Sequence, residues 1–268
     1  MSTTTTWLRH RQPDGGAAAR GFWRFASPPA AFRLAGQLRP WALALAAVTA
    51  VIGLYVGLLV APTDHQQGEA YRIIFVHVPA AWLSMVLYVA MAFWAGLGWV
   101  FQTRVSSLMA RAIAPTGALF TFLALWTGAL WGKPTWGTWW VWDARLTSEL
   151  ILLFLYLGVM ALQSAIDDPR RGDRAGALLT LVGVVNVPVI YFSVQWWNTL
   201  HQGASVSLGS APTMAAPMLA GMLLCTVALW AWAAAVVLHR LRMLILQREA
   251  DATWVRSLLA SHQPGVVR

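Results

Sequence analysis

Charge is scarce in this chain. Of 268 residues only 11% are charged, against 58% apolar, and the mean hydropathy is +0.58. A soluble domain carries about 25% charged residues, so a water-soluble fold of this size is excluded and the solvent is lipid. Cysteine is nearly absent, Cys225 being the only one. That excludes an internal disulfide framework, Cys-Cys metal sites and covalent Cys-x-x-Cys-His attachment of a cofactor within the chain. Lysine is equally scarce, with Lys133 alone. Segments of about ten residues with alternating polarity are missing, which excludes a transmembrane β-barrel. There is no glycine-rich phosphate loop ending in Lys-Ser/Thr, so ATP-driven work belongs to another protein. No enzymatic activity, internal repeat or soluble domain is expected.

Long apolar runs are abundant. A helix needs about 20 mostly apolar residues to cross a bilayer. Six runs qualify: Trp41–Ala61, Ile73–Phe101, Ile113–Trp131, Ser148–Ile166, Ala175–Val194 and Thr213–Leu238. The second is long enough to include a helical extension beyond the lipid. Pro79 and Pro188 fall inside two runs, which membrane helices tolerate when neighbours satisfy the freed backbone groups. The expected fold is an all-α integral membrane protein with six transmembrane helices. Residues 1–40 form an N-terminal tail, 41–240 the membrane domain and 241–268 a C-terminal tail.

Net charge is +9, and all but three of the 19 basic residues fall on one side of this topology. The N-terminal tail holds Arg9, Arg11, Arg20, Arg24, Arg33 and Arg39. The even loops and the C-terminal tail hold the rest, leaving Arg72, Lys133 and Arg145 opposite. Positive charge marks the cytoplasmic face, so both termini are expected in the cytoplasm and the three odd loops outside, in the periplasm of a Gram-negative cell. The arginines lie between apolar runs rather than on one solvated face, so anionic lipid headgroups are the expected partner and nucleic acid is not. The first run is too long for a cleaved signal and is read as retained. Trp7, Phe22, Trp23 and Phe25 among arginines suit a segment lying along the inner leaflet; a disordered Gly/Ala/Pro-rich tail is the alternative.

Tryptophan is the most over-represented residue, at 17. Five cluster in the segment from Trp131 to Thr147 between the third and fourth runs: Trp131, Trp136, Trp139, Trp140 and Trp142. Interfacial preference explains one or two indoles per loop, but not this density beside Gly132, Gly137, Lys133, Asp143 and Arg145. Glycines let backbone approach a flat ligand, and indoles give rigid faces for stacking. A planar apolar ligand is the reading set against a simple interfacial belt.

Two histidines flank this segment in the topology. His77 lies roughly 8 Å along the helix axis below Arg72. His201 lies in the outward loop between the fifth and sixth runs. Two imidazoles beside an aromatic platform are what bis-histidine haem ligation needs. The bland alternatives are a packed His77 and a solvated His201. His65, in a polar outward loop, is the alternative ligand; His10, His239 and His262 fall on the cytoplasmic side. Arg72, Lys133 and Arg145 are the outward cations available to propionates, or else anchors for neighbouring helices. Asp143, just before an apolar run, suits a helix N-cap. Glu149 is placed to pair with Arg145 four residues earlier.

The stretch Trp131-Gly-Lys-Pro-Thr-Trp-Gly-Thr-Trp-Trp-Val-Trp-Asp-Ala-Arg-Leu-Thr-Ser-Glu-Leu150 resembles the signature of the WWD-motif haem-handling family of bacterial cytochrome c maturation. So do Phe75-Val-His77-Val-Pro-Ala-Ala-Trp82 and Trp196-Trp-Asn-Thr-Leu-His201-Gln-Gly. The likeness covers residues 40 to 240, and its six-span layout resembles the haem-exporter branch rather than the longer synthetase branch. The resemblance implies a protein that holds non-covalent haem b at the outer face of the inner membrane and passes it to a periplasmic haem chaperone. It implies an ABC-type ATPase with its membrane subunit, and a small single-span helper, as partners. By carry-over His77 and His201 are the axial ligands, and Trp136, Trp139, Trp140, Trp142 and Asp143 the haem platform. A membrane b-type cytochrome, a haem permease with a path through the helices and a purely structural subunit remain as rivals.

Overall fold

The computed structural model describes residues 27–201, 206 and 212–261. The aromatic and basic N-terminal residues Trp7, Arg9, Arg11, Arg20, Phe22, Trp23, Arg24 and Phe25, with His10, His262 and Arg268, lie outside them.

Six helical spans long and apolar enough to cross a membrane account for the fold, and no strand is present among the described residues. Helix α1 (Pro28–Tyr55) runs on through a π turn at Val56–Val60. A 3-10 turn at Glu69–Ile73 leads into α2 (Ile74–Phe101), and α3 covers Arg104–Trp136. Helix α4 is Ala144–Ala165; the fifth span is split into α5 (Pro169–Gly183) and α6 (Asn186–Trp196). Helix α7 is Ala216–Arg248, and a short α8 (Thr253–Ser261) follows.

Hydropathy locates the lipid-embedded core of a helix but not its ends, and the ends are where the structure differs from expectation. The first helix starts at Pro28, not Trp41. Its polar extension docks on α8: Phe32 packs 5.7 Å from the Trp254 ring, and the Arg242 guanidinium lies 4.3 Å from the Phe32 ring centroid. That contact puts the two described ends of the chain at the same end of the bundle. The third helix extends to Trp136, so the first residues of the Trp-rich segment are helical rather than loop. Gly137, at φ +78°, stops it and donates its N–H to the Lys133 carbonyl at 3.0 Å. The break in the fifth span follows from Pro188, which has no N–H for the Val184 carbonyl. That carbonyl accepts instead from Val187, at 3.1 Å.

Helix α1 packs chiefly along α7, and α2 along α3. Between α1 and α7 the backbones nearly touch: a Cβ added at Gly221 would lie 2.9 Å from the Gly57 Cα. Without hydrophobic drive between helices in lipid, such small-residue contacts carry the association. Phe75 of α2 seals this crossing and is buried. These close contacts hold α2 and α3 in place, and the functional side chains project from their Trp-rich end.

Candidate functional site

His77 stands near the start of α2. Its Nδ1 lies 3.0 Å from the Thr127 hydroxyl of α3. Thr127 donates its own hydrogen to the Leu123 carbonyl at 2.6 Å. The hydroxyl is therefore the acceptor for His77, Nδ1 carries the proton, and Nε2 keeps a free lone pair. The ring also meets Trp131 edge-on, with centroids 5.5 Å apart. Gly128 makes room for it: a Cβ there would sit 3.0 Å from His77 Cε1.

His201 reaches the same place from the segment after α6. Its ring packs 5.1 Å from Trp136, tilted by 53°. Its Nδ1 is buried and has no partner among the described residues. Burial above all, and the nearby Arg145 charge, hold its imidazole down to about 4, against a smaller opposing effect of Asp143. The ring is neutral at physiological pH, the form that binds metals.

Both histidines line a cavity of about 360 Å³ with Trp131, Thr135, Trp136 and Arg145. Its walls continue into the bundle through Val78, Trp82, Met85 and Met222, and it falls within the size range of small-molecule sites. A narrower recess beside it shares His77, Trp136, Arg145 and His201 and adds Trp139, Trp140 and Glu149. Among the described residues the buried Trp140 indole N–H and the Thr135 hydroxyl have no partner. Neither Val184 nor Val185, where the fifth span breaks, lines these spaces.

The remaining sequence candidates divide. Arg145 lines both spaces and donates to the Ile190 carbonyl at 2.8 Å. Arg72 turns away to Glu69 and to the Gly57 carbonyl, 2.6 Å off, tying down the end of the first span. Lys133 reaches back to the Gly137 carbonyl at 3.0 Å and is exposed. Trp142 is 77% exposed and stands edge-on to Trp140. Asp143 caps α4, as its position suggested: one carboxylate oxygen accepts from the Leu146 N–H at 2.8 Å. The Arg145–Glu149 pairing does not form: among the described residues neither makes a salt bridge to the other, because Glu149 accepts from Ser84 at 2.8 Å. His65 is exposed in a turn closed by Asp64. Backbone N–H groups of Gln67 and Gln66 hold the Asp64 carboxyl below its ordinary value.

Sequence reasoning missed Thr127 and Thr199 entirely and saw Glu149 only as an ion-pair partner. No local pattern marks either threonine, since each acts on a residue some fifty positions away in the chain.

A helical bundle with six spans and, at one end, an indole-lined cavity that two imidazoles share defines a multi-pass membrane protein. The chain belongs to the Heme exporter protein C family, whose model matches residues 21–256. It is 48% identical over 237 residues to the Heme exporter protein C of Haemophilus influenzae, covering 87% of this chain and 95% of the relative. The Escherichia coli K12 protein of the same name is 48% identical over 240 residues, 88% and 95% of the two chains. That of Bradyrhizobium diazoefficiens is 54% identical over 182 residues, 68% of each.

Proposed function

We propose that this protein holds haem at the outer face of the bacterial inner membrane and hands it to a haem chaperone for c-type cytochrome assembly. It acts as a carrier, not an enzyme. The single observation that carries this reading is that His77 and His201 line one cavity of about 360 Å³ with indoles around it. The donors fit the cargo. Two imidazoles suit the two axial positions of haem iron, with Nε2 of His77 free and the His201 ring neutral. Trp131 and Trp136 stand against the two imidazoles and Trp140 lines the recess, so aromatic surface is available to the macrocycle. The Arg145 guanidinium and the unpaired Trp140 N–H are donors for propionate oxygens. Haem b is held without a covalent bond, since Cys225 is buried in α7 and lines neither space.

Trp139 and Trp142, 54% and 77% exposed, form the rim that faces an incoming chaperone. The termini face the cytoplasm, following the distribution of arginine. An ABC-type ATPase with its membrane subunit and a small single-span helper complete the assembly, and ATP hydrolysis belongs to the first of these.

The test is an absorption spectrum of the purified protein beside His77→Ala and His201→Ala. Each substitution is expected to strip haem or shift its bands. Parental haem content and spectra in both variants sink the ligand assignment.

A further inference from the structure

We propose that Thr199 is a positioning residue for the His201 ligand, and that the aspartate ending the Trp-rich segment serves as its anchor; this rests on the reading of His201 given above. Asp143 uses its two oxygens differently. One accepts from the Leu146 N–H and caps α4. The other accepts the Thr199 hydroxyl hydrogen. The Thr199 oxygen in turn accepts the backbone N–H of His201 at 3.1 Å. A carboxylate fixed at the head of a helix thus holds the histidine-bearing segment through a single hydroxyl.

Three further observations support a positioning role. Asp143 lines neither the cavity nor the recess, and both its oxygens are taken by protein donors. Residues 195–200 are exposed except Thr199, the one member turned inward. Among the described residues the His201 ring nitrogen Nδ1 has no partner, while its backbone N–H donates to the Thr199 oxygen. His77 differs, because its ring is held directly by Thr127. The Asp143–Thr199 latch gives His201 what the helix and Thr127 give His77. It also couples the Trp-rich segment to the second ligand, so displacement of one reaches the other.

Hydrogen bonds to a carboxylate are stronger than neutral ones, and loss of an outer partner of a metal ligand costs roughly 10–100-fold in affinity. Thr199→Val keeps the shape and removes the hydroxyl. In the full-length protein in detergent it is expected to weaken haem binding by that factor and to shift the absorption bands. Thr199→Ser is expected to restore both. Free imidazole added to Thr199→Val should recover the parental bands, which a collapsed pocket would not allow. Asp143→Asn is the second variant. Asparagine caps helices as well as aspartate, so melting should hold while haem is lost, and the Asp143→Asn/Thr199→Val pair should be no worse than the poorer single variant. Parental affinity and bands in Thr199→Val, alongside haem loss in His201→Ala, overturn the latch and leave the ligand assignment standing. Additive losses in the pair overturn the coupling. Parental haem content and bands in His201→Ala remove the ligand reading on which the proposal stands.

Discussion

Thr127→Val isolates the contact that decides which His77 nitrogen carries the proton. In the parent the Thr127 oxygen accepts from Nδ1 at 3.0 Å and its hydrogen is committed to Leu123. Valine fills the same space and accepts nothing. Two outcomes are open to the ring. Its Nδ1–H stays in place without the hydroxyl acceptor, and loss of a buried hydrogen-bond partner costs about 1–3 kcal/mol. Alternatively the proton moves to Nε2, and the nitrogen facing the ligand loses its lone pair. Both weaken the iron bond, by roughly 10–100-fold in affinity as for other outer partners of metal ligands. The measurement is a titration of haem into haem-depleted protein in detergent, followed by absorbance, for the parent, Thr127→Val and Thr127→Ser. Serine supplies the acceptor again and should return most of the affinity. A valine variant with the parent's affinity and band positions refutes the argument, because the tautomer would then be fixed by something other than Thr127.

Gly128→Ala adds a Cβ that would lie 3.0 Å from His77 Cε1. Alanine favours a helix over glycine by about 1 kcal/mol, so melting should not fall while the haem spectrum shifts; an unshifted spectrum shows that the ring has slack. His201 makes the haem-free protein acid-sensitive. The unfolded chain takes up its proton near 6.5 and the folded one only near 4, so acidification through that window favours unfolding. Thermal melts of the haem-free protein should fall as pH drops from 6.5 toward 4, and His201→Gln should flatten that part of the curve. Parallel curves for the two proteins would remove His201 as the source.

The six spans were legible because lipid imposes a length and a polarity on each. Trp41 and Trp131 marked where those apolar runs meet their borders, yet the helices run past both. Beyond the lipid, helix continuation depends on caps and docking: Phe32 against Trp254 at one end, Gly137 at the other. Neither contact has a hydropathy signal. Pro188 was visible as a perturbation, but whether it bends or breaks a span depends on where the freed Val184 carbonyl finds a donor. That His77, His201, Trp136, Trp140 and Arg145 come together around one recess was legible from the density of indoles and ionisable groups at one membrane border. Their division into cavity-lining and outward-turned was not. Arg72 and Lys133 have the same charge and side as Arg145, and each was drawn instead to a carbonyl left free at a helix end.

That difference follows from where unpaired acceptors lie. The π turn leaves the Gly57 carbonyl to Arg72, and the end of α3 is bound by Lys133 through the Gly137 carbonyl. Arg145 is also engaged, with Ile190, but it stands within α4 and lines both spaces with the two histidines. The two imidazoles are held by separate hydrogen bonds: His77 by a threonine of α3, His201 by the head of α4 through Thr199. Helix α3 packs on both rings, through Trp131 on His77 and Trp136 on His201. Among the described residues no hydrogen bond is shared, so the two alanine variants each remove one axial position and leave the other's hydrogen bond in place. Loss of haem in both means two ligands, and loss in only one means that the iron takes its other ligand from elsewhere in the cavity.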